Sequence, residues 1–428
     1  PTPEPVISTR PSTAHPTEKG VPSGAVATWR FEPTPILSSY VTALIAGPYG
    51  VVRSELTSSD GRIIPLGIFA RKSLEQYLDA DYIFEKTRQG FAYYEEKFAY
   101  PFAKYDRLFV PEFNAGAMEN AGAITFTETY VFRSKVTDAV RERRVVTILH
   151  ELAHMWFGDL VTMKWWNDLW LNESFAEWAS TMATADATEW SGAWTTFQAT
   201  EKSWAYRQDQ LPSTHPVVAT ITDLEDVQVN FDGITYAKGG SVLKQLVAWV
   251  GIDAFYAGVA AYFQKHAFGN TELSDLLAEL EITSGRDLSE WSELWLETAG
   301  VNTLKPEIDT DADGVITSFA IVQTAAAEYP TIRPHRLAIG FYDLAAGALV
   351  RDDRIELDVD GPRTEVPALV GKKRPDLILV NDDDLAYAKV RLDDASLSVA
   401  LEHLAAIENR LARAIVWGSV WDSTRDGE

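Results

Sequence analysis

The residues of this sequence whose types and spacing could do chemistry are two histidines and a glutamate in the first half of the chain. His150 and His154 are four positions apart, and Glu151 follows the first of them, in a His-Glu-x-x-His pattern. Four residues make a little over one helical turn, so both imidazoles can bind the same ion while Glu151 lies beside them. The pattern predicts a zinc hydrolase in which Glu151 is the general base for a water molecule. The alternative is that both histidines are buried helix residues and Glu151 is exposed.

A third metal ligand has to come from elsewhere in the chain. Because the sequence contains no cysteine, a carboxylate is the natural candidate. Glu173 follows His154 after 18 intervening residues, which leaves room for a helix end, a connection and one turn of an antiparallel helix. The alternative for Glu173 is a solvated carboxylate at a helix start. Glu177, one helical turn later, and Asp168, just before, could orient an imidazole by accepting its other ring proton, or could have ordinary surface or capping roles.

Helices must position these residues. Between residues 137 and 157 the apolar positions recur at helical spacing, with Asp138 as the cap, so the pattern predicts a helix that carries both histidines. Residues 1–68 are rich in Pro, Ser and Thr with β-type runs, and residues 303–392 show short alternating strands between turns. Further helices are predicted at residues 82–98, 169–184, 234–250, 253–266, 271–283, 288–298 and 401–422. The sequence therefore predicts an α+β multidomain protein.

Composition excludes several classes of protein and partner. With 428 residues, 46% of them hydrophobic, the chain is long enough for two or three globular units. Its 38 basic and 62 acidic residues give a net charge of −24, which argues against nucleic acid and anionic membranes as partners. The absence of cysteine excludes disulfides and thiolate ligands; it fits a cytoplasmic location without excluding secretion. No apolar run approaches the roughly 20 residues of a membrane span.

The metal pattern, its spacing to Glu173 and the sequence at 172–177 together resemble the gluzincin peptidases, most closely the aminopeptidase N family. A second motif, Gly-Ala-Met-Glu-Asn, lies upstream where that family carries its exopeptidase signature, and residues 161–171 read like the family's connection. The resemblance covers nearly the whole chain. It implies a metalloaminopeptidase that acts on peptides with a free N-terminus and holds one Zn2+ per chain with His150, His154 and Glu173.

The resemblance also assigns roles outside the metal pattern. Within the family, the glutamate at the position of Glu119 binds the substrate's free α-amine; the alternative is a loop carboxylate that caps backbone amides. Tyr236 stands where the family has a tyrosine that donates a hydrogen bond to the tetrahedral oxyanion, although by itself it reads as a packed aromatic. The substrate-binding residues implied by the upstream motif are Gly116, Ala117, Met118, Glu119 and Asn120.

The family fold implies four segments in this chain. They are the C-terminal part of an N-terminal β domain at 1–68, a thermolysin-like zinc catalytic domain at 69–302, a β-sandwich at 303–392 and the start of a helical C-terminal domain at 393–428. From the resemblance we expect a fragment that lacks most of the N-terminal β domain and of the helical C-terminal domain. The absent N-terminal segment carries a further amine-binding residue in the family, so the amine site is expected to be incomplete. The oligomeric state and the preferred N-terminal residue are open.

Rival functions on the same site are an endopeptidase, an epoxide hydrolase of the family's bifunctional branch, and an inactive scaffold. Glu119 favours exopeptidase action, and the complete ligand set with its base argues against a scaffold. Residues 309–314 imitate a calcium loop, but Ala320 occupies the position of the bidentate Glu, so turns are predicted there and at 381–384. The other histidines lack ligand partners at useful spacing and are assigned surface or packing roles: His15, His215, His266, His335 and His403.

Overall fold

The computed structural model describes residues 6–9, 12–14 and 28–428. The chain divides into two compact units. The first contains the described residues up to Lys164 with Ala179–Ser191 and Val259–Asp275, and the second contains Trp165–Trp178, Gly192–Gly258 and Leu276–Glu428. His15 and part of the predicted β segment 1–68 lie outside the described residues.

Helices dominate the centre of the chain, as the apolar periodicity predicts. The predicted histidine helix is confirmed, but the predicted cap is wrong, because Thr137 is at the N-cap and Asp138 is the first helical residue. Two π-helical segments, Phe197–Lys202 and Ile234–Lys238, each lead into an α-helix. The α-helices of the described residues are α1 (Ala80–Glu95), α2 (Asp138–Ala153), α3 (Trp170–Ala187), α4 (Ala193–Thr196), α5 (Ser203–Gln208), α6 (Leu224–Val229), α7 (Gly239–Val250), α8 (Ile252–His266), α9 (Leu273–Ser284), α10 (Ser289–Leu296), α11 (Asp394–His403) and α12 (Arg410–Asp426).

A five-stranded sheet forms the largest β element of the first unit. The strands of this unit are β1 (Val6–Ser8), β2 (Ser12–Ala14), β3 (Arg30–Phe31), β4 (Leu44–Ala46), β5 (Tyr49–Thr57), β6 (Ile63–Arg71), β7 (Tyr105–Val110), β8 (Ala117–Met118), β9 (Ala123–Thr127), β10 (Val161–Met163) and β11 (Gly269–Thr271). The sheet order is β5-β6-β7-β9-β8, with β6, β7 and β9 parallel and both edge strands antiparallel. Strand β7 is almost wholly buried, as expected for a central parallel strand. Helices α1 and α2 pack against each other in the same unit.

Two further sheets lie in the second unit. Its strands are β12 (Thr303–Thr310), β13 (Ile316–Thr324), β14 (His335–Ala345), β15 (Ala348–Val359), β16 (Arg363–Glu365), β17 (Leu377–Asp382) and β18 (Lys389–Val390). One sheet has the order β16-β13-β12-β18 and the other β15-β14-β17. Apolar side chains from both sheets, among them Leu304, Phe319, Ile339 and Val380, share one buried core. Helices α11 and α12 cover a second core that includes Leu377 and Leu379.

The predicted combination of helices and sheets is confirmed, and one helix prediction is wrong. Residues 401–422 form the end of α11 and most of α12 rather than one helix, because Asn409 caps a new helix by accepting the N–H groups of Leu411 and Ala412. Both predicted turns are confirmed, since Gly314 donates to the Asp311 carbonyl and Asp384 to that of Asn381.

No single helix of the described chain is long and apolar enough to cross a membrane. Helices over 234–250 and 252–266 reach that length and composition only as a pair, and they are bent by 112° at the break between them.

Candidate metal centre

The two histidines and Glu151 lie at the C-terminal end of helix α2. All three are buried, and His154 is only 1% exposed. The Nε2 atoms of His150 and His154 are 3.0 Å apart, with their rings 78° from coplanar. Two nitrogen ligands of a tetrahedral zinc ion, each bonded at about 2.0–2.1 Å, stand about 3.3 Å apart. The imidazole pair therefore has the spacing that one shared ion requires.

The backbone fixes the tautomer of His154. Helix α2 ends at Ala153 with His154 as its C-cap, and the carbonyl of Phe157 in the following turn lies 2.9 Å from Nδ1 of His154. Because a carbonyl only accepts hydrogen bonds, Nδ1 carries the proton and Nε2 keeps its lone pair. This acceptor orients the ring as is usual for metal-binding histidines. Sequence reasoning did not name it, because a backbone acceptor leaves no residue-type signal.

Glu173 completes a group of three metal-binding side chains. It lies in the first turn of α3 and is 4% exposed. One ligand atom from each of His150, His154 and Glu173 can be chosen so that all three lie within 4.8 Å of one another. The set of two imidazole nitrogens and one carboxylate fits zinc and leaves one of its four positions for water. The structure thus brings together the three residues that the sequence predicts as ligands.

The segment that carries Tyr236 is bonded to the residue after Glu173. The hydroxyl of Ser174 donates to the carbonyl of Thr235 at 2.6 Å. At Gly239, three residues after Tyr236, an added Cβ would stand 1.9 Å from the Ser174 oxygen, so only glycine permits this approach. Tyr236 itself is half-buried in the π-helical segment Ile234–Lys238. This hydrogen bond therefore joins the residue after the predicted ligand Glu173 to the residue before the predicted oxyanion donor Tyr236.

Glu119 follows the short edge strand β8, which helix α2 contacts. The side chain is buried, at 5% exposure. Its neighbour Asn120 is held by Thr125, whose hydroxyl donates to the Asn120 side-chain oxygen at 2.9 Å. The Gly116 carbonyl accepts the N–H of Thr127 at 3.0 Å. The upstream motif is therefore an ordered part of the sheet, and its role toward a substrate stays a prediction.

Asp159 is a buried acid that sequence reasoning missed. It is 1% exposed, and neither carboxylate oxygen has a hydrogen-bond partner among the described residues. Burial raises the pKa of the Asp159 carboxyl well above its ordinary value; Glu119 raises it further, His154 lowers it, and Glu151 raises it. The charges of Glu119, His154 and Glu151 therefore all act on the Asp159 carboxyl. Its only sequence signal is an acid five residues after His154 in an apolar stretch.

The two acids predicted to orient the imidazoles are both buried. Asp168 accepts a hydrogen bond from the indole of Trp170 at 3.2 Å. The side chain of Glu177 packs beside Gly240, where an added Cβ would stand 3.3 Å from the Glu177 Cγ. For His154 the orienting acceptor is the Phe157 carbonyl, and a role of either acid toward the imidazoles stays a prediction.

Comparison with known proteins identifies the family to which the chain belongs. Residues 82–295, which are 214 of 428 residues, match the Peptidase family M1 domain. The chain belongs to peptidase family M1. Aminopeptidase N of Streptomyces lividans is 67% identical to this M1 chain over 411 residues, which are 94% of this chain and 48% of that protein. The predicted family is thereby confirmed.

More distant relatives also match this member of family M1. Aminopeptidase M1 of Arabidopsis thaliana is 32% identical over 387 residues, 87% of this chain and 42% of that protein. Tricorn protease-interacting factor F2 of Thermoplasma volcanium is 37% identical over 282 residues, 65% of this chain and 35% of that protein. The chain spans half or less of the length of these three relatives.

Proposed function

We propose that this chain is the catalytic part of a zinc-dependent aminopeptidase that hydrolyses the first peptide bond of substrates with a free N-terminus. The observation that carries the proposal is the cluster of His150, His154 and Glu173 in a chain of family M1. The 67% identical relative is an aminopeptidase by name, which supports the same substrate class here.

Two side chains move or stabilise charge in the proposed reaction. Zinc, when bound, supplies a Lewis acid that polarises a carbonyl and lowers the pKa of a water molecule to about 7. Glu151 takes a proton from the attacking water and passes it to the leaving amine. Tyr236 donates a hydrogen bond from its phenol to the oxyanion and brings no charge into the site.

Glu119 restricts the reaction to the first peptide bond. An ionised carboxylate there pairs with the substrate's α-ammonium and so fixes which carbonyl lies over the metal ligands. Strand β8, immediately before Glu119, is the edge of the five-stranded sheet, where an extended peptide can form backbone hydrogen bonds. The edge position of Ala117 and Met118 supports a substrate-binding role for the motif.

We also propose an arrangement of domains along the chain. The end of a β domain is followed by a thermolysin-like catalytic domain at 69–302, a β-sandwich at 303–392 and the start of a helical domain. Two sheets that share one apolar core support the sandwich.

The proposal is tested by removing the general base and keeping the ligands. Glu151→Gln preserves shape and the metal ligands but cannot take a proton, so we expect turnover of aminoacyl chromogenic substrates to fall by about 10²–10⁴-fold with zinc content unchanged by elemental analysis. Glu142→Gln, the same substitution earlier on α2, is the matched control. Retained turnover in Glu151→Gln would remove Glu151 from the mechanism.

Acetylation of the substrate separates an aminopeptidase from an endopeptidase. An N-acetyl group removes the positive charge that Glu119 is proposed to bind, so we expect hydrolysis of the acetylated peptide to be lost while the free peptide is cleaved from its N-terminus. Internal cleavage of both peptides would favour the endopeptidase instead.

A further inference from the structure

The π-helical turn that carries Tyr236 is capped by an acidic side chain. Oδ1 of Asp232 accepts the backbone N–H groups of Ile234 at 2.9 Å and Thr235 at 3.1 Å. The N–H groups two and three residues after an N-cap are those that its side chain accepts, so Asp232 acts as the N-cap of this turn. The orientation of the Asp232 carboxylate therefore sets the start of the turn, two residues before Ile234 and four before Tyr236.

His215 holds the other oxygen of this carboxylate. Its Nε2 is 3.0 Å from Oδ2 of Asp232, and its Nδ1 is 2.7 Å from the carbonyl of Pro216. Both partners are acceptors, so both bonds form only when both ring nitrogens carry a proton. The geometry is therefore satisfied in full by the imidazolium form and only in part by neutral imidazole.

The loop that runs from Gln208, the last residue of α5, to Pro216 also contacts the rest of the turn. Asp209 in this loop lies 2.9 Å from Nζ of Lys238, and both side chains are fully buried. Gln208 accepts the N–H of Gly233, where a side chain would collide with the Gln208 oxygen. One loop thus holds the turn at its start and at its end.

The charges around His215 favour its protonated form, and solvent can reach it. Burial lowers the pKa of His215, but the hydrogen bond and charge of Asp232 and the Pro216 carbonyl outweigh burial, so the pKa is raised; Lys238 acts in the opposite direction. The side chain is 22% exposed and lines a cavity of about 560 Å³ together with Asp232. Proton exchange therefore does not require unfolding.

We propose that His215 is a positioning residue for Tyr236: in its doubly protonated form it fixes the Asp232 cap and so aims the phenol at the oxyanion. The proposal rests on the proposed function, because it needs Tyr236 to act in the reaction. His215 does not touch the substrate. When it loses a proton the cap loosens, kcat falls, and KM stays nearly constant because ground-state binding does not use the phenol.

Two substitutions at His215 separate positioning from packing. His215→Gln keeps an N–H donor near the place of Nε2 and does not titrate, whereas His215→Ala removes the donor. We expect kcat of His215→Gln within about threefold of the wild-type chain, without the decline as pH rises through the pKa of His215. For His215→Ala we expect kcat lower by about tenfold or more and KM within about twofold, as for a lost cap.

Asp232→Asn inverts the hydrogen-bond polarity of the pair. Its amide can donate to Nε2 only when that nitrogen is unprotonated, while Nδ1–H still donates to Pro216. We therefore expect kcat of Asp232→Asn to rise with pH where the wild-type kcat falls, and to do so at lower pH, because the carboxylate that raises the pKa of His215 is gone. Asp223→Asn is the matched control, because Asp223 caps α6 by accepting the N–H groups of Glu225 and Asp226 in the same way.

Hydrogen exchange supplies a readout that does not depend on activity. We expect faster amide exchange confined to residues 232–238 in His215→Ala and protection as in the wild type in His215→Gln. Unchanged exchange in His215→Ala, or the same pH profile in His215→Gln and the wild type, would overturn the proposal. Failure of the proposed function gives a different result. If Tyr236 does not act in the reaction, Tyr236→Phe keeps full kcat while amide exchange at 232–238 still responds to substitution of His215.

Discussion

The ring nitrogen that carries the proton determines whether Nε2 of His154 can bind a metal ion. The Phe157 carbonyl holds the proton on Nδ1, so the lone pair of Nε2 points toward His150 and is available to an ion. The ligand types could be predicted from sequence because the four-residue spacing is imposed by helix geometry. The orienting carbonyl could not, since it depends on how the chain leaves α2. His215 and His335 were likewise assigned only generic roles, because their partners lie 17 and 12 residues away in sequence.

At the same scale, Glu119 is expected to contribute through its charge. Glu119→Gln keeps the size and burial of the side chain but removes the partner of an ammonium group. We expect KM for a free-amine substrate to rise by about 10–100-fold, since a hydrogen bond between charged groups is worth about 1.5–3 kcal/mol. Steady-state kinetics on an aminoacyl chromogenic substrate measures this.

The matched control for that substitution is Glu112→Gln, because Glu112 is an exposed acid seven residues earlier. The control should leave KM unchanged. Equal kinetics for both variants would assign Glu119 a capping role instead.

At the scale of elements, the contact between α3 and the start of α7 holds together the segments that carry Glu173 and Tyr236. Gly239→Ala would place a methyl group 1.9 Å from Oγ and 2.7 Å from Cβ of Ser174. The Cβ cannot rotate away, so the helices must separate and the bond from Ser174 to Thr235 is lost. We expect the free energy of unfolding to fall by about 1–3 kcal/mol in urea titrations.

Gly192→Ala is the control for this element, because Gly192 has open space around it and an ordinary negative φ of −86°. We expect that variant to be as stable as the wild type. If both alanine variants unfold at the same urea concentration, the tight approach at Gly239 does not constrain the helices.

Element types were predictable to different degrees. From Val145 onward the helix of the histidines has apolar residues at helical spacing, as expected for a face packed in a core. The break before α12 was missed because periodicity continues across it, although Asn409 carries the capping signal. The π-helical segment Ile234–Lys238 was read as part of one α-helix, since the extra residue in its turn is set by contacts such as the one between Asp209 and Lys238.

For the molecule as a whole, the pH dependence of stability combines opposing contributions. With a net charge of −24, the native state repels itself less as acidic groups become protonated at low pH. His335 acts in the opposite direction. It is fully buried, 3.0 Å from the Gln323 side-chain oxygen and in edge contact with the ring of Trp295. Burial, then the charges of Arg333 and Lys202, lower the pKa of His335 to about 3.

The sign of the His335 contribution follows from that lowered pKa. Its ordinary value is 6.5, so between pH 6.5 and about 3 the unfolded chain binds a proton that the folded chain does not. The free energy of unfolding therefore decreases as pH falls below 6.5, by up to about 1.4 kcal/mol per pH unit from this residue. His335→Gln replaces the imidazole with a side-chain amide that can donate a hydrogen bond and does not titrate, so we expect a lower stability at pH 7.5 but a flatter decline between pH 6.5 and 4.5. Urea unfolding at several pH values measures both quantities. His403→Gln, at a side chain that is 37% exposed, should retain the wild-type slope. A wild-type slope in His335→Gln would place the acid sensitivity in other groups.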